Sequence, residues 1–188
     1  MQLTLSKSAI RSFRPEDVPS LTKHLGTYSM ARNLKLLPHP YTTQDAERWI
    51  ALATGANPES HFALTIDDEV VGGIGLRLDD PERKGVFRHS AELGYWLGEP
   101  FWGRGIMTEA VSGFVEWAFP ALDLVRIHAG VFARNPASAR VLAKAGFECE
   151  GRLRAQYFKK GELLDGLLYA RVRVPAEKPS NQPLPESL

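Results

Sequence analysis

Residues 101–110, FWGRGIMTEA, set two glycines around an arginine just ahead of an amphipathic run. The first turn of a helix carries unpaired backbone N–H groups and roughly half a unit of positive charge. Gly103 and Gly105 have no side chain to hold a ligand away from those groups. The stretch therefore predicts an anion site suited to a phosphate or pyrophosphate. The P-loop pattern is absent, and a dinucleotide fingerprint would need a glycine where Thr108 stands. The plain alternative is a tight turn with no ligand. A second group, NPASARVLAKAGF at 135–147, brings Asn135 and Ser138 to another expected helix start. Asn135 suits the N-cap, Pro136 the first turn and Gly146 the position past the end. Capping explains much of this segment, yet both polar side chains can also hydrogen-bond a ligand.

The elements that would hold these residues follow from periodicity. Residues 3–13 read as a strand or short hairpin, RPEDVPSLTKHL as a short helix, and 26–37 as a weaker helix ending in a loop. In YTTQDAERWIALATG, Thr42 and Asp45 have capping-box spacing, and Ala46, Trp49, Ile50 and Ala53 share a face. Strands are expected at 61–66, 70–78 and 86–97, the first two joined at Asp67-Asp68-Glu69. The glycines of VGGIGL have no helix behind them and mark a strand that admits a bulge or a close neighbour. Ile106, Ala110, Phe114 and Ala118 repeat every four residues, and Pro120 should close that helix. Further strands are expected at 124–133, 147–158 and 163–174. This order predicts a mixed α/β sheet with helices packed on it, a single domain over 1–174. The proline-rich, polar stretch 175–188 predicts a disordered tail.

The chain has 188 residues, 44% hydrophobic and 24% charged, with a formal net charge of +1. That near-neutral balance argues against bulk electrostatic binding to nucleic acid or an anionic membrane. One cysteine, Cys149, cannot form an internal disulfide, and with no secretory signal a reducing, cytoplasmic setting is expected. No segment approaches the roughly 20 apolar residues of a membrane span. The five histidines, at 24, 39, 61, 89 and 128, lack metal-ligand spacing, so no metal is expected.

The segments HPYTTQDAERWI, ELGYWLGEPFWGRGIMTEAV and NPASARVLAKAGFECEGRLR, in that order, resemble the GCN5-related N-acetyltransferase (GNAT) family, and within it the RimJ/RimL branch. The resemblance spans roughly residues 8–174. It implies an α/β (α+β) fold: a mixed, mostly antiparallel sheet of six to seven strands, about four flanking helices, and a central strand pair that splays apart. It implies acetyl-CoA as co-substrate, its pyrophosphate on the backbone of Gly103, Arg104, Gly105, Ile106, Met107 and Thr108 and its pantetheine arm between strands 86–97 and 124–133. Trp102 opens the loop pattern and Met107 stands where the family has glycine or alanine. Leu97, Asn135 and Arg140 complete the expected cofactor contacts.

Acetyl transfer from a thioester to an amine must deprotonate the amine, stabilise the carbonyl oxygen and accommodate the departing thiolate. Glu92, on the strand beside the cofactor, is the expected base, with burial raising its pKa. Ser138 matches the family's proton donor to the thiol, and Tyr157 is a second donor. A bulge near residues 94–97 would supply a backbone N–H to the carbonyl. The acceptor implied is a protein or peptide N-terminal α-amine. A small amine (polyamine, amino acid or antibiotic) and a non-catalytic acyl-CoA-binding module stand as alternatives, and a homodimer is compatible with the sequence. Specificity is expected from residues 33–41 and 159–162.

Overall fold

The computed structural model describes residues 1–55, 60–82 and 84–173. The expected tail at 175–188 lies outside these described residues. The chain runs through β1 (Gln2–Thr4), β2 (Ala9–Arg11), α1 (Val18–Leu25), α2 (Tyr28–Asn33), α3 (Thr43–Gly55), β3 (His61–Ile66), β4 (Glu69–Leu78), β5 (Ser90–Leu97), α4 (Ile106–Ala121), β6 (Arg126–Phe132), α5 (Pro136–Lys144), β7 (Glu148–Lys159) and β8 (Glu162–Val172). These strands form one eight-stranded sheet in the order β1-β2-β3-β4-β5-β6-β8-β7. The sheet exceeds the six or seven strands expected because residues 3–13 contribute to a full hairpin, closed by Leu5 N–H donating to Ser8 O at 2.9 Å. Among the described residues the α-helices number five against about four implied, and the short α2 is the weaker helix expected within 26–37.

Local rules account for most elements. Thr42 and Asp45 cap α3 reciprocally: Asp45 N–H donates to Thr42 Oγ1 at 3.3 Å, and Thr42 N–H to Asp45 Oδ2 at 2.9 Å. Asp67 and Asp68 both take left-handed φ values, 50° and 64°, the geometry of a tight turn matching the strand twist. α4 runs one residue past Pro120, which falls in its last turn. The glycine-rich β4 accommodates a close neighbour: a Cβ on Gly73 would strike the Trp96 indole nitrogen. β4 also carries the bulge: Leu64 and Thr65 are adjacent on β3 but pair with Gly72 and Val70, which leaves Val71 as the extra residue at the head of the glycine-rich run.

Two apolar layers sandwich the sheet. On one side Ile106, Met107, Ala110, Phe114 and Ala118 of α4 pack on Leu76, Ala91, Leu93, Ile127 and Ala129. On the other, Leu21, Leu25, Met30, Ala46 and Ile50 cover Ala63 and Val70.

Every neighbouring strand pair is antiparallel except β5 and β6. That parallel pair holds together only at Ser90↔Arg126, Ala91↔Ile127 and Glu92↔His128. Beyond Glu92, β5 stays on β4 through Leu97 and β6 stays on β8 through Phe132. The sheet therefore splits into two halves that diverge past Glu92, which is the splayed pair expected. The β4–β5 ladder has no register shift, so the bulge expected near residues 94–97 does not occur. The split itself frees backbone groups of β5, because alternate amides of a strand point to the side β6 has left.

Candidate active site

The glycine loop stands at the wide end of the split. β5 ends at Leu97, a short 3₁₀ turn covers Glu99–Phe101, and α4 begins at Ile106. Gly103 and Gly105 have φ of 77° and 76°, a left-handed backbone that side-chain-bearing residues rarely adopt. The conformation requires glycine here, independently of any ligand. Glu109 N–H donates to Gly105 O at 3.1 Å. The amides of Ile106, Met107 and Thr108 come before it and have no carbonyl of their own helix to reach. Met107 is buried in the α4 core at 5% exposure, so its side chain points away from the loop and does not narrow it. Ile106 is buried beside it at 4%.

The flanking residues fix the loop. Trp102 Nε1 donates to Leu97 O at 2.6 Å, closing the turn with an indole that is 46% exposed. Arg104 lies over the Phe101 ring at 5.6 Å. Lys7, from the β1–β2 turn, donates from Nζ to Arg104 O at 3.1 Å. Glu109 receives Ser6 N–H at 2.8 Å, Ser6 Oγ at 2.6 Å and Lys7 N–H at 3.2 Å, which ties that turn to α4. The Ser6 hydroxyl is the chief cause that holds the Glu109 carboxyl below its usual value.

On the α4–α5 face, Asn135 caps α5 by accepting Ser138 N–H at 3.1 Å. Ser138 Oγ lies 2.7 Å from the Tyr95 hydroxyl, which also donates to Ser138 O at 3.0 Å. Tyr95 therefore reaches across from β5 to the helix that follows β6. Burial pushes its hydroxyl up to about 12, against a smaller opposing effect of the Ser138 bond. Sequence reasoning missed Tyr95, although alternation from Ala91 and Leu93 puts it on this face. Arg140 is exposed on α5.

On the opposite face, Glu92 is half-buried at the point where the strands part. Its Oε1 receives Lys35 Nζ at 2.6 Å and its Oε2 receives Arg77 Nη2 at 2.5 Å. Burial is the largest single influence and would raise its pKa, but the Lys35 and Arg77 bonds together outweigh it, and the carboxyl lies below its ordinary value. The expected upward shift is thereby reversed. Tyr157 sits over β6 and β8: a Cβ on Gly130 would come within 2.5 Å of its hydroxyl, and one on Gly166 within 2.8 Å of its ring. Its ring meets Phe132 edge-on at 5.0 Å. A register shift between Leu153 and Tyr157 delivers it there, pinned by Ala155 N–H donating to Asp165 Oδ1 at 2.8 Å. Glu92 and Tyr157 thus share one face of the split, whereas Ser138 lies on the other.

A sheet opened between parallel strands, with an anion-receptive helix start at its mouth, is the architecture of an acyl-CoA-type transferase. Residues 8–148 match the family model described as the acetyltransferase (GNAT) domain, and the chain belongs to that family. It is 28% identical to the uncharacterized N-acetyltransferase p20 of Bacillus licheniformis over 91% of this chain and 96% of that protein. It is 32% identical to the ribosomal-protein-serine acetyltransferase of Escherichia coli over 59% of each chain. The structure of Mycobacterium smegmatis RimJ, solved in complex with a CoA disulfide, superposes with a TM-score of 0.80 at 23% identity over 92% of this chain and 87% of that one. The chain is thus an N-acetyltransferase of the GNAT family. Among the described residues no helix is long and apolar enough to cross a membrane, and no cluster of metal-binding side chains forms.

Proposed function

We propose that the protein transfers the acetyl group of acetyl-CoA to the α-amine of a protein or peptide N-terminus. The observation that carries this reading is the double engagement of Glu92 by Lys35 and Arg77. A carboxylate with both oxygens bonded to cations and a lowered pKa is a weak base. The acceptor must then arrive largely neutral. An α-amine with a pKa of about 8 is roughly one quarter neutral near pH 7.5, whereas a lysine side chain at about 10.4 is neutral in about one molecule per 1,000. The difference is on the order of 3 kcal/mol, at about 1.4 kcal/mol per pKa unit.

The remaining residues supply the other requirements. The amides of 103–108 fit the CoA diphosphate, since the left-handed glycines expose them and Met107 is tucked into the core. The pantetheine arm fits between the diverging ends of β5 and β6, where the freed amides of β5 can polarise the thioester carbonyl. Asn135 and Arg140 border that path from α5. The amine nitrogen attacks the carbonyl carbon, the C–S bond breaks, and the proton that the nitrogen sheds goes to the leaving thiolate, which the Ser138–Tyr95 pair stabilises by a hydrogen bond. Tyr157, on the acceptor side, orients the incoming amine. A reducing, cytoplasmic setting fits the exposed thiol of Cys149.

A second reading has its own support. Lys35 and Arg77 set two cations beside one carboxylate, which suits an acceptor carrying its own carboxylate, such as a free amino acid. A thiol-release screen over peptides with different first residues, free amino acids and polyamines separates these readings. Peptides should show the highest kcat/KM at pH 7.5. Faster turnover of polyamines overturns the α-amine reading, and CoA binding without thiol release from any amine points to a binding module.

A further inference from the structure

One amine of the protein already stands where β5 and β6 part. Lys35 follows α2, and its Nζ bonds Glu92 at 2.6 Å. The same nitrogen would lie 3.1 Å from a Cβ on Gly130, so it rests against the β6 backbone two residues past the last pairing with β5. It is 5.3 Å from the centre of the Tyr157 ring. The backbone that carries it is clamped by the β7–β8 hairpin, where Lys159 Nζ bonds Leu34 O at 2.7 Å and Lys35 O at 3.2 Å. A cation therefore bridges the opening from Glu92 on one half of the sheet to Gly130 on the other.

We propose that Lys35 is a specificity-determining residue: its ammonium occupies the acceptor-amine seat beside Glu92 and turns away acceptors that arrive as ammonium ions. This inference rests on the α-amine reading above and gives it a physical cause. Glu92 already faces two cations, Lys35 and Arg77. Asp79, another carboxylate on this face, is engaged by His128 Nε2 at 2.9 Å and by Ser90 Oγ at 2.6 Å. A third cation brought beside Lys35 meets the repulsion of a like charge at a carboxylate whose two oxygens are already engaged. A polyamine must shed its proton or displace Lys35 from Glu92. An α-amine that is already neutral meets neither obstacle. The reverse role, a tie that only anchors residues 34–37 to the sheet, would affect all acceptors alike.

The test compares kcat/KM for spermidine and for a serine-initiated tetrapeptide in wild type, Lys35→Met and Lys35→Arg. Lys35→Met should raise the spermidine-to-peptide ratio by about tenfold or more. Lys35→Arg, which keeps the charge, should hold the ratio near wild type. If Lys35→Met does not fold, as judged by a missing thermal shift with CoA, Lys35→Gln takes its place in the same comparison. A wild type that prefers the peptide and a neutral variant with an unmoved ratio overturn this inference alone. A wild type that prefers spermidine overturns the α-amine reading and this inference with it.

Discussion

The hydroxyl oxygens of Tyr95 and Ser138 lie 2.7 Å apart, although one residue stands on β5 and the other on the helix that follows β6. They meet where the two strands no longer pair, so the contact joins the two halves of the open sheet. Burial keeps Tyr95 protonated throughout the working range, with its hydroxyl at about 12. Tyr95→Phe should lower kcat by about 100-fold if the pair assists the leaving thiolate, the lower end of the usual range for such assistance. The acetyl-CoA KM should change far less. Loss of the hydrogen bonds should also cost about 1 kcal/mol of stability. Steady-state thiol release and urea denaturation check the two effects, and a Tyr95→Phe/Ser138→Ala double variant should fall short of additivity.

Glu92 makes a pH-dependent contribution to the fold. Its carboxyl is lower in the folded chain than in the unfolded one, so its stabilisation is complete above the ordinary carboxylate range and fades as pH falls through the folded value. Glu92→Gln removes this contribution at every pH. Wild type should therefore exceed Glu92→Gln in stability near pH 7, and the gap should narrow as pH falls below the ordinary carboxylate range. Urea midpoints of the two proteins over that range give the answer. A gap that stays constant means the carboxylate is not held by its cations.

The glycines of the loop differ in what a side chain would meet. At Gly103 a Cβ meets nothing within 4 Å, so alanine there tests backbone conformation alone. At Gly105 a Cβ would lie 3.1 Å from Lys7 Nζ, next to the first free amides of α4. Each substitution should cost on the order of 1–2 kcal/mol for the left-handed backbone. Gly105→Ala should weaken CoA binding more than Gly103→Ala, because it also crowds the helix start. Titration calorimetry with CoA, run beside denaturation of both variants, measures these effects.

What could be read from the sequence was local. The loop glycines, the α3 cap and the four-residue stripe of α4 each depend on neighbours within a few positions, and all three take the expected form. The acceptor side depends on contacts between distant segments. Lys35 and Glu92 are 57 residues apart, and nothing in the spacing of either announces the ion pair that reverses the Glu92 shift. Tyr157 arrives through a strand irregularity held by Asp165, which alternation along β7 does not reveal. Tyr95 was legible in principle, since its face follows from the buried residues before it. Its partner Ser138 becomes apparent only once α5 is placed over the split.

Gly130 offers the most direct test of where the acceptor enters. It stands on β6 just past the last residue paired with β5, and both Tyr157 and Lys35 converge on its bare Cα. A methyl group there would press on the Tyr157 hydroxyl at 2.5 Å and on Lys35 Nζ at 3.1 Å. Both are ends of side chains that can move, so Gly130→Ala should fold with a loss of about 1–3 kcal/mol. The displaced tyrosine and lysine would then occupy the space through which an amine reaches the thioester. Acetyl transfer should fall by at least about 100-fold, in line with the cost of a 1 Å misplacement of reacting groups. The glycine loop lies at the other end of the split, so CoA affinity should stay within about threefold of wild type, a change of under about 1 kcal/mol. Calorimetry for CoA and thiol release for turnover separate the two. Equal losses in both would place the opening at Gly130 on the cofactor's path instead of the acceptor's.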